Sequence, residues 1–147
     1  MKIARLAFAL PLLAVAACAM APHHAGTDSP IVTRATDAAP DAVVDRIKSY
    51  AADRKWAFLG ANKVKNGEIT MVKVCIPAVG AALWSVNMQL TALLPCGNLS
   101  IYGANGKTEI AMLHPSYMHR LHPTPETEKA ADMATPELMA MLDAVAR

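Results

Sequence analysis

The sequence is organised around the stretch that runs from Val74-Cys75-Ile76-Pro77 to Leu94-Pro95-Cys96-Gly97. Proline is tolerated in the first turn of a helix, and a residue that precedes proline resists the helical region, so this stretch predicts one helix from Pro77 to Leu94. Apolar residues recur along it every three or four positions, as in a helix packed on a core. They are Val79, Leu83, Val86, Leu90 and Leu93-Leu94.

Upstream of this stretch, the sequence predicts a strand, a helix and a β-hairpin. Ile31–Thr36 is short and rich in β-branched residues, which is typical of a strand. The segment 40–54 starts with proline and carries apolar residues at helical spacing. Segments 56–64 and 68–76 are joined by Asn66-Gly67, whose residues accept positive φ and favour a type I′ turn.

Two further features of this hairpin can be interpreted. Gly60 lies inside its first strand and predicts a β-bulge. Lys63, Lys65 and Lys73 indicate a solvated edge or face of the hairpin.

Downstream, the sequence predicts a second hairpin and two helices. Segments 98–102 and 108–113 alternate as strands, and Asn105-Gly106 lies between them as a second turn. A short helix is predicted over 116–121. Thr135-Pro136-Glu137 combines a cap-type residue, a first-turn proline and a negative charge at the positive end of the helix dipole, so a last helix is predicted to begin there.

The predicted order of elements is β-α-β-β-α-β-β-α-α. Antiparallel hairpins with helices packed on one face define a two-layer α+β domain. We place this domain at residues 31–122 and treat residues 123–147 as a C-terminal extension that carries a helix.

The N-terminus has the pattern of a lipoprotein signal peptide. A short basic segment precedes an apolar run, Leu6–Ala14, which is too short to span a bilayer stably. Val15-Ala16-Ala17-Cys18 then resembles a lipobox, which is cleaved before a lipidated cysteine; an ordinary signal peptide with a chance cysteine is the alternative. We expect residues 1–17 to be removed, lipid on Cys18 to anchor the protein to a membrane, and residues 18–30 to form a flexible tether.

Location and charge follow from this signal. We expect the protein on the periplasmic side of the cell envelope, at the outer rather than the inner membrane. Lys2 and Arg5 leave with the signal, so 14 basic residues become 12, which equals the 12 acidic residues. A neutral chain without a basic run has no electrostatic footprint for nucleic acid, so we expect no nucleic-acid partner.

The second half of the chain carries five short motifs: Val74-Cys75-Ile76-Pro77, Leu94-Pro95-Cys96, Leu99-Ser100-Ile101-Tyr102, Gly106-Lys107-Thr108-Glu109-Ile110 and His114-Pro115. Together they resemble the family known as domain of unknown function 302, over about residues 31–121. The resemblance implies an α+β fold, with dimers for at least some members, and no established activity. Gly97 departs from the family pattern, which usually has arginine after the second cysteine.

The cysteine count raises a question about pairing. If Cys18 carries lipid, Cys75 and Cys96 remain as an even pair in a compartment that permits disulfides. A straight helix over 77–94 would be about 25 Å long, whereas a disulfide requires Cα atoms within about 7 Å. The pair could meet only if the helix breaks, and Asn87 is the candidate break. A disulfide, a redox-active pair and two buried free thiols all stay open.

A second group of residues has ligand types that suit soft metals such as copper. Five methionine and histidine residues crowd a short segment: Met112, His114, Met118, His119 and His122. Their spacing matches no specific motif, so core packing for the methionine and surface positions for the histidines are the competing interpretation.

No constellation for acid–base, nucleophilic or nucleotide-dependent catalysis is recognisable, so no catalytic residue is assigned. The first hypothesis is a non-enzymatic, lipid-anchored envelope protein of unknown biochemical activity that binds a small ligand or a protein partner, with a homodimer expected. The alternative is a protein for thiol redox chemistry or copper handling. The sequence specifies no cofactor.

Overall fold

The structure is a computed structural model that describes residues 29–93 and 98–147. Its strands and helices follow in the predicted order, which confirms the α+β class. A 3-10 turn (Lys65–Gly67) separates β2 from β3, and a 3-10 helix (Met88–Leu93) follows α2. The elements are β1 (Ile31–Thr36), α1 (Pro40–Asp53), β2 (Ala57–Val64), β3 (Ile69–Cys75), α2 (Pro77–Trp84), β4 (Asn98–Ala104), β5 (Lys107–Leu113), α3 (Tyr117–Leu121) and α4 (Pro125–Val145).

The five strands form one antiparallel sheet in the order β1-β5-β4-β3-β2. Both predicted hairpins are present, as the β2–β3 and β4–β5 pairs. Asn105 and Gly106 have φ of +51° and +76° and connect Ala104 to Lys107, so the predicted two-residue turn is confirmed. Because β1 pairs with β5, the first strand lies at the opposite edge of the sheet from β2.

The first hairpin differs from the prediction in its loop. The strand register shifts between Phe58 and Gly60, where Gly60 has φ of +134°, and this confirms the bulge. Val64, however, pairs with Ile69, so four residues separate the paired ends rather than two. Asn66 has φ of +55° as its sequence suggests, but the loop forms a 3-10 turn instead of a two-residue type I′ turn.

One face of the sheet is buried by the helices. Helices α1, α2 and α4 contact one another or the sheet on this side, and their fully buried residues include Ile47, Leu83 and Leu138. With few aromatic residues in the chain, aliphatic side chains and methionine fill this core. The sheet residues that face it are Thr70, Val72, Val74, Leu99, Ile101, Thr108, Ile110 and Met112.

The other face of the sheet, here called the open face, carries exposed or half-buried side chains. The strand register aligns one residue from each strand across its centre: Asn62, Met71, Ser100, Ala111 and Thr33. None of these five is fully buried.

Helix α2 is shorter than predicted, and the single helix from Pro77 to Leu94 is wrong. It ends at Trp84, where the backbone N–H groups of Val86 and Asn87 both donate to the carbonyl of Leu83. The Asn87 side-chain oxygen accepts a hydrogen bond from the Gln89 N–H at 2.9 Å. Asparagine favours such local bonds over a helix interior. The chain therefore turns near Asn87, the residue identified from the sequence as the candidate break of the helix.

Helix α4 begins at Pro125, whereas the sequence predicts its start at Thr135. Thr124 is the N-cap: its hydroxyl accepts from the Thr127 N–H, and the Thr127 hydroxyl accepts from the Thr124 N–H. This is a capping box with threonine in the place of glutamate or glutamine, and Pro125 occupies the favoured first helical position. Pro136 lies inside the helix, where it removes one backbone hydrogen bond without ending the element.

The packing of α4 makes it part of the core. Helix α4 contacts α1, α2 and α3. Its alanine and larger apolar residues are buried. The predicted division into a domain over residues 31–122 and an extension over residues 123–147 therefore does not match the packing, in which α4 belongs to the core. The buried residues are Ala130, Ala131, Ala134, Leu138, Met141, Leu142 and Val145. Across residues 29–93 and 98–147, no helix is long and apolar enough to cross a membrane.

Candidate functional site at the end of strand β3

Cys75 is the last residue of β3 and lies where the chain leaves the sheet for α2. Ile76 caps the helix and Pro77 begins it, so the strand and the helix are separated by one residue. Cys75 pairs with Ala57 of β2 and is 8% exposed. Among the described residues its thiol is free. Cys75 is therefore a buried residue, and whether its thiol pairs with Cys96 stays a prediction.

A cavity of about 500 Å³ lies beside this cysteine. It is formed where the ends of β2, β3 and β4 meet α2 and the 3-10 helix. Its apolar walls come from alanine, leucine, proline and tryptophan, and its polar groups come from lysine, cysteine, threonine and asparagine. The lining residues are Ala57, Leu59, Lys73, Cys75, Pro77, Trp84, Thr91, Ala92 and Asn98.

Trp84 forms one wall of this cavity because of a glycine one helical turn before it. A Cβ added at Gly80 would come within 2.9 Å of the Trp84 ring, so only glycine lets the indole lie against the helix at this point. Gly80 is itself buried, whereas Trp84 is 44% exposed. The ring therefore offers a large apolar surface to the cavity and to solvent.

The polar side chains of the cavity lie at neighbouring positions of two paired strands. Lys73 of β3 is directly opposite Asn98 of β4 in the sheet. Residues opposite each other in an antiparallel pair project to the same face with Cβ atoms about 5 Å apart. An ammonium group and an amide are thus placed side by side at the cavity, on the same face of β3 as Cys75.

A second cavity, of about 540 Å³, lies on the other side of Pro77 and contains Arg54, Trp56 and Glu137. Beside it, the Arg54 guanidinium lies 3.7 Å from the centre of the Tyr50 ring, which meets Trp56 edge to face. The Tyr50 hydroxyl is buried without a hydrogen-bond partner in the described part of the chain. Burial raises the pKa of Tyr50, which Arg54 partly offsets, so this group stays a neutral phenol.

On the open face, Tyr102 donates a hydrogen bond to Glu109 at 2.9 Å. This bond raises the pKa of Tyr102, with burial and the carboxylate charge as smaller causes. The pair joins β4 to β5 and lies beside Ile69 of β3 in the strand register. It has the geometry of a cross-strand stabilising pair rather than of a reactive group.

Cys96 and Cys18, the other two cysteines singled out from the sequence, lie outside the described residues. The described chain resumes at Asn98, two residues after Cys96. The hypothesis of a Cys75–Cys96 pair therefore stays a prediction.

The structure gives different surroundings to the methionine and histidine residues proposed as metal ligands. Met112 and Met118 are buried in the core. His114 hydrogen-bonds the Ser116 hydroxyl at 2.7 Å, and His119 contacts the carbonyl of Thr124. In residues 29–93 and 98–147, no group of three or more histidine, cysteine, aspartate or glutamate side chains could hold a metal ion.

Neither Lys73 nor Trp84 is predicted from the sequence as a site residue. The sequence predicts Lys73 on a solvated edge or face, and Lys73 is exposed, but this prediction does not reveal the cavity next to it. Trp84 lies off the apolar stripe of α2 and four residues after Gly80. That spacing is the one sequence signal that could have pointed to an exposed ring held against the helix.

The fold defines the class of protein: a small α+β domain in which one layer of helices covers one face of a five-stranded antiparallel sheet, with a cavity where this layer meets the end of β3. The family described as Domain of unknown function DUF302 matches residues 32–145, and the chain belongs to this family. The match extends through α4, in agreement with the packing of that helix. None of the curated proteins compared with the chain matches it.

Among solved structures, the chain is similar to the crystal structure of uncharacterized conserved protein DUF302 from Bacillus stearothermophilus. The two share 20% sequence identity with a TM-score of 0.71, over 80% of this chain and 98% of the other. At this identity the likeness shows the fold alone.

Proposed function

We propose that this protein is a lipid-anchored protein of the cell envelope whose domain binds a small ligand in the cavity beside Cys75. The observation that carries the proposal is the cavity itself. Its volume of about 500 Å³ suits a small molecule, since ligand sites commonly measure about 300–1,000 Å³. Apolar walls with a few convergent polar groups are also the usual composition of such sites.

The chemistry of the lining favours binding over catalysis. Its described side chains supply one amine, one thiol, one hydroxyl, one amide and one indole N–H, and neither a carboxylate nor an imidazole. General acid–base catalysis most often uses those two missing groups. The proposal is therefore a binding domain rather than an enzyme.

A neutral fluorescent probe tests this proposal on the purified mature protein. N-phenyl-1-naphthylamine is expected to bind saturably with one site per chain, because its two ring systems suit the apolar walls. Trp84→Ala removes the largest of these walls, and we expect it to weaken binding at least tenfold, which corresponds to about 1.4 kcal/mol. The measurement is a fluorescence titration.

Two further variants locate the bound probe. Ala92→Phe fills the cavity and is expected to abolish saturable binding, whereas Leu121→Ala removes an exposed leucine outside the cavity lining and leaves it unchanged. Circular dichroism shows whether each variant is folded. Binding that is insensitive to both cavity variants, or that never saturates, contradicts the proposal.

We further propose two physical partners: a membrane, through lipid on Cys18, and a second copy of the chain on the open face. The lipobox supports the first. The open face supports the second, since five strands give it about 24 by 20 Å, a large part of the roughly 800 Å² per partner of a stable interface. Exposed apolar residues along it include Ile31, Met71 and Leu113.

Intact mass and light scattering test these partners. Mass spectrometry of the membrane-extracted protein is expected to show a chain that begins at a lipid-modified Cys18. Light scattering is expected to give twice the chain mass, and Ser100→Arg, at the centre of the open face, is expected to give the monomer. Ala140→Arg, on the exposed side of α4, is the control. An unmodified Cys18, or a monomeric unmutated protein, contradicts the corresponding proposal.

A thiol redox role for Cys75 and Cys96 is a second candidate, which the strand register favours. Lys73 and Asn98 are paired, Cys75 comes two residues after Lys73, and Cys96 comes two residues before Asn98. Antiparallel pairing that continued for two residues would set the cysteines opposite each other. The interruption of the helix after Trp84 also removes the 25 Å separation that a straight helix would impose.

A thiol count separates this candidate from two free cysteines. In denaturant and without reductant, the mature protein is expected to show no thiol that reacts with dithionitrobenzoate if the pair is oxidised, and two after reduction. Two reactive thiols in a sample purified in air would overturn the oxidised pair. The lipid-modified Cys18 contributes no thiol to either count.

A further inference from the structure

The cavity beside Cys75 has an unbalanced charge. Lys73 is its only charged side chain among the described residues that line it. By contrast, the cavity beside Trp56 combines Arg54 and Lys55 with Glu137. A ligand without charge would leave the ammonium group with solvent alone, whereas an anion would pair with it.

Lys73 is also free to make such a pair. The ion pairs within residues 29–93 and 98–147 use Lys63, Lys65, Lys107 and Arg34, and Lys73 takes part in none of them. Its side chain is exposed at the cavity, so binding an anion there requires little loss of hydration.

Asn98 adds a second donor at the same place. It is directly opposite Lys73 in the β3–β4 pair and lines the same cavity. The ammonium and the amide N–H₂ can therefore both donate to the oxygens of one anionic group. Two donors on paired strands fix where that group lies, because the strand backbone holds them.

The cavity also has apolar walls in addition to these two donors. Leu59, Pro77 and Trp84 supply its larger walls, and two alanines complete it. A volume of about 500 Å³ has room for one or two rings or a short branched chain beside the anionic group.

We propose that the ligand of this cavity is a small amphipathic monoanion, such as an aromatic or branched-chain carboxylate, bound with its acid group at Lys73 and Asn98 and its apolar body against Trp84. This rests on the proposed ligand-binding function and adds the chemical class of the ligand. The acid group stays near solvent at the amine, and the body is removed from water by the cavity walls.

Two probes that differ in one charged group test the proposal on the mature protein. 8-Anilinonaphthalene-1-sulfonate has the aromatic skeleton of N-phenyl-1-naphthylamine plus a sulfonate. We expect the anionic probe to bind the unmutated protein about fivefold more tightly than the neutral one, and Lys73→Met to remove this preference. The readout is the ratio of the two affinities, so any effect of Lys73→Met on packing that acts on both probes alike cancels from it.

Matched variants separate the site from general charge effects. Lys73→Arg keeps the charge and is expected to retain the preference, and Lys63→Met removes an exposed charge from the neighbouring strand and is expected to change neither affinity. Equal affinities for the two probes, or an anionic preference that survives Lys73→Met, overturn the inference. The proposed function stands in both cases if Trp84→Ala weakens the neutral probe, and it falls if that probe does not bind saturably.

Discussion

Leu138→Ala is expected to destabilise the protein by about 3 kcal/mol, because it leaves a cavity in a closely packed core. Leu138 is 0% exposed and lies on α4, which contacts α1, α2 and α3. The expected loss is large relative to a total stability of about 5–15 kcal/mol for a small domain. Urea unfolding of the mature protein, followed by far-ultraviolet circular dichroism, measures it.

The same experiment decides whether residues 123–147 belong to the domain. Leu121→Ala is the control, since Leu121 is 56% exposed and its loss is expected to cost less than about 0.5 kcal/mol. Leu138→Met conserves volume and is expected to cost less than about 1.5 kcal/mol, which keeps the test readable if the alanine variant does not fold. A cost for Leu138→Ala no greater than that of the control would mean that α4 does not contribute to the core.

Thr127→Val is expected to destabilise the protein by about 2 kcal/mol, although the two side chains have nearly the same shape. The Thr127 hydroxyl accepts from the Thr124 N–H and donates to the carbonyl of His122 or Thr124. It also contacts the His119 ring nitrogen, and the residue is 0% exposed. Removing one partner from buried polar groups costs about 1–3 kcal/mol, because those groups stay desolvated and lose their bond.

Thr135→Val provides the matched control within the same helix. The Thr135 hydroxyl donates only to the carbonyl of Ala131, one turn earlier, in a bond that adds little to a helix. Its replacement is expected to change the free energy of unfolding by less than about 0.5 kcal/mol. Equal effects of the two substitutions in urea unfolding would show that the cap at Thr124 does not fix the start of α4.

Much of the sheet could be predicted from local sequence. Ile31–Thr36 has the bounds expected from its β-branched residues, and the second hairpin turns at Asn105-Gly106 as its sequence requires. The bulge at Gly60 also follows from a glycine inside a strand pattern. These features depend on backbone preferences of neighbouring residues, so the sequence carries them directly.

The bounds of the helices were harder to predict, because proline occurs both at the first position of a helix and inside one. Pro125 begins α4, whereas Pro136, at which the sequence predicts the start of this helix, lies inside it. The buried residues on both sides of Pro136 hold the helix together despite the missing hydrogen bond. The start at Pro125 has a local signal in the capping box of Thr124 and Thr127, whereas tertiary packing decided that the helix continues through Pro136.

The candidate site shows the same division. Cys75 and Pro77 mark the junction of β3 and α2 in the sequence, and the junction lies where they predict. Lys73, Trp84 and Asn98 come together at the cavity from β3, α2 and β4. No periodicity connects them, so their proximity could not be predicted.

The sequence alone determined the strand and hairpin signals, the predicted lipid attachment at Cys18 and a thiol at each end of the central stretch. The tertiary structure decided that this stretch is a short helix, that α4 completes the core, and that Lys73 and Asn98 lie side by side at a cavity. The reason is physical: turns and strand patterns arise from interactions between neighbouring residues, whereas a cavity depends on which distant segments pack together to bury apolar surface.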